Sequence, residues 1–187
     1  MTISEPFTVL HVCTGNICRS PLSERIFDHL TSDAVYNHGA GTSAFHEGED
    51  MQSNSARILA ERGYDDRRHY SRPLERDSVE ISDLILVATD GHREFIADRF
   101  PEALDRTMLV RHMGAIAARY GSDVVQRGDG LQDRLKLLLS HADDTDVPAE
   151  NLADPWGLGR RVYDQIADEL ETALYPLAKA LEPEDVQ

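Results

Sequence analysis

The sequence predicts an α/β fold: a doubly wound, four-stranded parallel sheet flanked by helices. Three observations predict it. Short β-rich apolar runs, Phe7-Thr8-Val9-Leu10-His11-Val12 and Leu84-Ile85-Leu86-Val87-Ala88, stand apart in the chain with helical patterns between them. The 187 residues suit one domain, 1–187, long enough to bury a sizeable core. A composition of 41% hydrophobic and 28% charged residues is that of an ordinary globular chain.

The elements follow in order. Residues 7–12 read as a buried strand. Ser20 is the expected cap of the next helix, with Pro21 at its first position and Leu22, Ile26, Phe27 and Leu30 recurring at helical spacing. Residues 35–38 form a weak second strand that ends in Gly39-Ala40-Gly41. Residues 51–62 are an amphipathic helix stopped by Gly63, and 64–73 are a loop. Residues 83–89 make the third strand, and Asp90 is the expected cap of a helix that Pro101 terminates. Residues 107–110 make a short fourth strand. The rhythm then breaks. Residues 112–120 and 129–140 are helical, with breaks at Gly121, Gly128 and Gly130, and an acidic loop covers 141–153. We therefore expect an extra helical insertion, 112–152, before the last loop: a helical cap, a partner surface or a neutral addition. A final helix covers 158–181, with Val162, Ile166, Leu170 and Leu174 on one face. In such sheets ligands bind at the carboxyl ends of the strands, which is where the loop after the first strand falls.

The net charge of −15 argues against nucleic acid as a partner, because phosphate backbones need a basic footprint. No apolar run approaches the ~20 residues of a membrane span. Residues 1–6 carry no basic, apolar export signal, so a cytoplasmic location is the default, with leaderless export left open.

The chemistry concentrates in Cys13-Thr14-Gly15-Asn16-Ile17-Cys18-Arg19-Ser20, with Pro21 following. A loop joining a strand to a helix turns backbone N–H groups toward one spot and cradles an anion. A thiolate placed there is stabilised by the same field. The Arg19 fork can hold two phosphoryl oxygens, and Cys13 can attack the phosphorus. Ser20 can donate a hydrogen bond to the Cys13 sulfur. Gly15 permits close backbone approach, and Asn16 tolerates left-handed backbone and can brace the loop. Cys13 and Cys18 are the only cysteines, too few for a disulfide framework or a structural zinc site. Cys18 either fills the loop interior or serves as a redox partner that traps oxidised Cys13. A proton donor for the leaving oxygen is also required, and Asp154, before Pro155 and Trp156, is the best candidate. His46 and His92 have no ligand-like spacing and read as surface residues.

The loop resembles the phosphate loop of the low-molecular-weight protein-tyrosine phosphatases. The segment Gly39-Ala40-Gly41-Thr42, the strand at 83–90 and the late Asp154-Pro155 match that family's layout. The resemblance implies a four-stranded parallel sheet and a reaction without metal or cofactor. It also implies that Cys13 is the nucleophile, Arg19 the phosphate ligand and Asp154 the general acid and then base. Phe45 and Trp156 would wall an aryl pocket, with Thr14 and Ile17 completing the rim. The implied substrates are phosphotyrosine proteins supplied by a tyrosine kinase. Where the family often has a serine, this chain has Gly39, which puts the bracing of Asn16 in question, and His69 resembles a histidine that supports the loop. Three other readings stand beside this one: arsenate reduction with a low-molecular-weight thiol, phosphoarginine hydrolysis, which favours a polar residue at position 17, and a silent phosphotyrosine-binding module.

Overall fold

A computed structural model describes residues 6–183; residues 1–5, most of the stretch read for an export signal, lie outside it. Four strands, β1 (Phe7–Cys13), β2 (Val35–Gly41), β3 (Leu84–Val87) and β4 (Thr107–Leu109), form one parallel sheet in the order β2-β1-β3-β4. β1 is buried along its whole length. It lies between the strands that precede and follow it in space, so its carboxyl end opens at the point where the strand order reverses.

Helices α1 (Arg19–Leu30), α2 (Ser53–Arg62), α3 (Arg76–Glu80), α4 (Asp90–Arg99), α5 (Val110–Arg127), α6 (Leu131–Leu139) and α7 (Arg160–Leu181) cover the two faces. A large apolar cluster joins α1, α5 and α7 to one face of the sheet, with Phe27, Leu84, Met113, Ile116, Tyr163, Leu170 and Leu174 inside it. A smaller one fills the other face beneath α4, around Leu10, Ile85, Val87 and Ile96. Two short pieces, α3 and a 3₁₀ turn at Pro101–Arg106, had no periodic signal to announce them.

Several local expectations are corrected. Ser20 does not cap α1: the helix starts at Arg19 after Cys18, Pro21 stands in its first turn, and the Ser20 hydroxyl is engaged in the loop instead. The cap of α4 is Thr89 rather than Asp90, in a reciprocal box with His92. Gly121 does not break a helix, because α5 runs from Val110 to Arg127. Residues 112–152 therefore begin inside a helix that is integral to the core. Its Gly114 sits so close to α7 that a Cβ there would meet Ala173 Cα at 2.4 Å. α6 and the irregular segment that follows it make up the rest of the stretch, and Leu135 and Leu138 of α6 join the same core. No helix among the described residues is long and apolar enough to cross a membrane.

Candidate active site

The site forms where β1 ends. Cys13 is the last residue of the strand and 2% exposed. The β1–β2 pairing continues past it: Thr42 N–H donates to Cys13 O and Ser43 N–H to Thr14 O, each at 2.9 Å. This close approach requires Gly41, since a Cβ there would meet Thr14 O at 2.7 Å. Asn16 then takes a left-handed φ of 53° and turns the loop into α1.

A chain of hydrogen bonds fixes the direction of the Asn16 and Ser20 side-chain donors in the loop. The Arg72 backbone N–H donates to Asn16 Oδ1 at 3.0 Å. His69 Nε2 lies 2.8 Å from Asn16 O and 3.2 Å from Asn16 Oδ1. Both partners are acceptors, so Nε2 carries the proton. The Asn16 amide nitrogen is thereby left to donate to Ser20 Oγ at 2.8 Å. That leaves the Ser20 proton free for Cys13 Sγ, 3.1 Å away, where it supports a thiolate. Burial pushes the His69 ring below its ordinary value, which keeps it the neutral donor this chain needs. Asn16 is thus braced without a side chain at position 39. A Cβ on Gly39 would meet Glu24 Oε2 at 2.6 Å and Asn16 Nδ2 at 2.7 Å, so a serine at this position would have to displace one of those side-chain ends.

Arg19 is 4% exposed and its fork is already aimed. Nη1 donates to Leu152 O at 3.2 Å, and Nη2 pairs with Asp154 Oδ2 at 3.2 Å. Asp154, its side chain 54% exposed, also accepts the Trp156 backbone N–H on Oδ1 at 3.2 Å. The structure therefore brings Cys13, Arg19, Ser20 and Asp154 into one cluster from positions up to 141 residues apart. Phe45 and Trp156 stand exposed on their loops. Thr14 is exposed at the rim, but Ile17 is not: at 3% exposed it belongs to the core cluster and backs the loop. Cys18 is buried beside the Tyr163 hydroxyl, 3.5 Å away, and burial pushes its thiol up to about 11.

The two histidines read as surface residues are part of the site. His46 packs on Gly15, its Cδ2 2.9 Å from where a Cβ would stand, and its Nδ1 meets Glu49 at 2.7 Å. His92 is 6% exposed. Its Nδ1 accepts the Thr89 N–H at 3.1 Å, so Nε2 carries the proton and donates to Thr14 Oγ1 at 2.9 Å. Burial, and then the nearby Arg19 charge, push His92 down to about 4. The capping pattern Thr-x-x-His after a strand was the available signal for it.

A loop with a buried thiol, a guanidinium fork and a carboxylate at its mouth can hold a phosphoryl group and transfer it to sulfur. Comparison with known proteins agrees. The family described as "Low molecular weight phosphotyrosine protein phosphatase" matches residues 8–126. A protein-arginine-phosphatase of Geobacillus stearothermophilus is 30% identical over 179 residues, spanning 96% of this chain and 99% of that one. A low-molecular-weight protein-tyrosine-phosphatase of Streptomyces coelicolor is 36% identical over 143 residues, 71% of this chain and 87% of its own. Among solved structures, the arginine phosphatase from Geobacillus stearothermophilus superposes with a TM-score of 0.70 at 29% identity, covering 96% of this chain and 95% of that one. The chain belongs to the low-molecular-weight phosphotyrosine protein phosphatase family and is a phosphatase of that family.

Proposed function

We propose that the chain hydrolyses phosphotyrosine in proteins through a phosphocysteine intermediate. The phosphoryl oxygens take the Arg19 fork, and Asp154 is released from Arg19 toward the leaving oxygen. Cys13 Sγ attacks phosphorus, the bond from phosphorus to the tyrosyl oxygen breaks, and Asp154 gives that oxygen its proton. Water then attacks the phosphocysteine and Asp154 takes up the proton. Inorganic phosphate and a Cys13 thiolate result, the thiolate held by the Ser20 hydroxyl. Phe45 and Trp156 flank the phenyl ring, and His69 holds the loop through Asn16. The substrates are phosphoproteins made by a tyrosine kinase. Cys18 is assigned the role of capturing oxidised Cys13 as a disulfide.

The observation that carries the tyrosine reading is the pair of exposed aromatic side chains, Phe45 and Trp156. They suit a phenyl ring, while Ile17, buried behind the loop, offers no hydrogen-bonding group to a guanidino substrate. A second reading, phosphoarginine hydrolysis, is favoured by the arginine-phosphatase relative, which matches nearly the full length of both chains. Comparing kcat/KM on matched phosphotyrosine and phosphoarginine peptides decides. We expect the phosphotyrosine peptide to be preferred, and Trp156→Ala to narrow the gap. A preference for phosphoarginine in the unaltered chain assigns the second reading. Cys13→Ser abolishes turnover of either substrate.

A further inference from the structure

We propose that Arg111 is a positioning residue for the Asp154 loop, and that the segment between α6 and α7 is a strap serving this purpose. The inference rests on the assignment of Asp154 as the general acid. Residues 148–155 have no regular secondary structure, so the backbone that carries Asp154 is placed only by its specific contacts. Besides the Arg19 donation to Leu152 O, three backbone-fixing contacts precede Asp154. Leu152 N–H donates to Ala88 O at 2.8 Å, just beyond the end of β3. Asn151 Oδ1 accepts the Asp90 N–H at 2.8 Å, at the start of α4. Arg111, from α5, donates from Nη1 to Asn151 O at 3.1 Å.

The same guanidinium is itself held from two sides. It pairs with Glu150 on the strap, and its Nη1 lies 3.6 Å from Glu169 Oε2 on α7. A planar fork with several donors can serve a main-chain oxygen and two carboxylates together, which an ammonium does less well. Arg111 therefore fastens the strap to α5 and α7, two of the helices that pack on this face of the sheet.

The contact matters most once substrate is bound. In the free protein Asp154 is held partly by Arg19 at 3.2 Å. A bound phosphoryl group competes for that fork, and the carboxyl must then stay at the leaving oxygen without it. What remains is the strap, with Leu152 buried at 1% exposure and Asn151 gripped by Arg111. Loosening the strap at Asn151 leaves Cys13 in place, and Leu152, still held on Ala88 O, keeps its carbonyl on Arg19; the proton donor beyond it is misplaced, and even a small misplacement is costly. A good leaving group hardly needs that proton, whereas a phenol does.

The test compares kcat/KM for 4-nitrophenyl phosphate and phenyl phosphate in Arg111→Met, Asn151→Ala, Asp154→Asn and the double variant Arg111→Met/Asp154→Asn. We expect Arg111→Met to lower the phenyl phosphate value about 10-fold and the 4-nitrophenyl value less than about 2-fold. Asn151→Ala should follow the same pattern, which keeps the test open if Arg111→Met folds poorly. Adding Arg111→Met to Asp154→Asn should cost nothing further. Equal losses on both substrates, or additive losses in the double variant, overturn the strap proposal while leaving Asp154 as the acid. No loss on phenyl phosphate in Asp154→Asn overturns the acid assignment and the strap with it.

Discussion

Lowering the pH from 7 to 5 should loosen this protein through its buried histidines, and His92 allows the effect to be isolated. In the folded chain His92 is neutral and pushed from 6.5 to about 4, because burial and the Arg19 charge oppose its protonation. Its stabilising contribution is present above 6.5 and is lost as the pH falls from 6.5 toward 4, since the unfolded chain takes up the proton first. At pH 5 the unfolded ring is almost fully charged and the folded one about a tenth charged, a loss of about 2 kcal/mol. His38, at about 4, and His11, at about 3, act in the same direction with similar size. Glu24 opposes them: burial raises it from 4.5 to about 7, so acidification returns roughly 2 kcal/mol over the same window. These four groups together give a net loss of about 3–4 kcal/mol. Gln at this position can still accept the Thr89 N–H in the capping box but cannot become charged. Urea unfolding at pH 7, 6 and 5 should therefore show His92→Gln losing about 2 kcal/mol less than the parent chain between pH 7 and 5. Curves that run parallel for the two proteins would refute a buried neutral His92.

Three other outcomes are expected. Gly39→Ser should lower stability by about 1–3 kcal/mol in urea unfolding, and kcat/KM with it, because the new Cβ displaces Asn16 Nδ2 or Glu24 Oε2; a neutral substitution would show that the pocket yields. With Cys18 held near 11, closure of a Cys13–Cys18 disulfide after a peroxide pulse should quicken about tenfold per pH unit between pH 6 and 8, read by mass spectrometry. A pH-independent rate removes the Cys18 thiolate from that role. Trp156→Ala should raise KM for aryl phosphates roughly 2- to 10-fold, matching one lost stacking contact, and leave inhibition by inorganic phosphate unchanged.

The parts of this molecule that were legible in the sequence are those whose signal is local. The apolar runs of β1 and β3 announce buried strands whatever surrounds them, and the Cys13–Arg19 spacing needs only one loop to be meaningful. The strand edges, the caps and the insertion were less legible because tertiary contacts decide them. Thr89 and Asp90 are both good caps, and Thr89 wins because His92 reaches back to its N–H. Gly121 sits inside α5 as a small residue facing α7, where a Cβ would meet Ala180 at 3.3 Å. Arg111 carries no periodic or spacing signal, and the Thr-x-x-His spacing marks His92 only as a helix cap, so both are ordinary polar residues until the fold brings Asn151 and Thr14 to them.

The site divides along the same line. Its reactive groups, Asp154 apart, lie close together in sequence, but the groups that orient them come from far away: His69 and Arg72 for Asn16, His92 for Thr14, Leu152 for Arg19. This orientation is not a detail of packing. If the Asn16 amide were reversed, its oxygen would face Ser20 and draw the hydroxyl proton away from Cys13. The sulfur would then meet a lone pair where it now meets a donor, and a thiolate there would be opposed instead of supported. The loop motif supplies a nucleophile and an anion cradle. The distant loops after β2 supply the direction of the hydrogen bonds, and that direction determines whether the thiol can act.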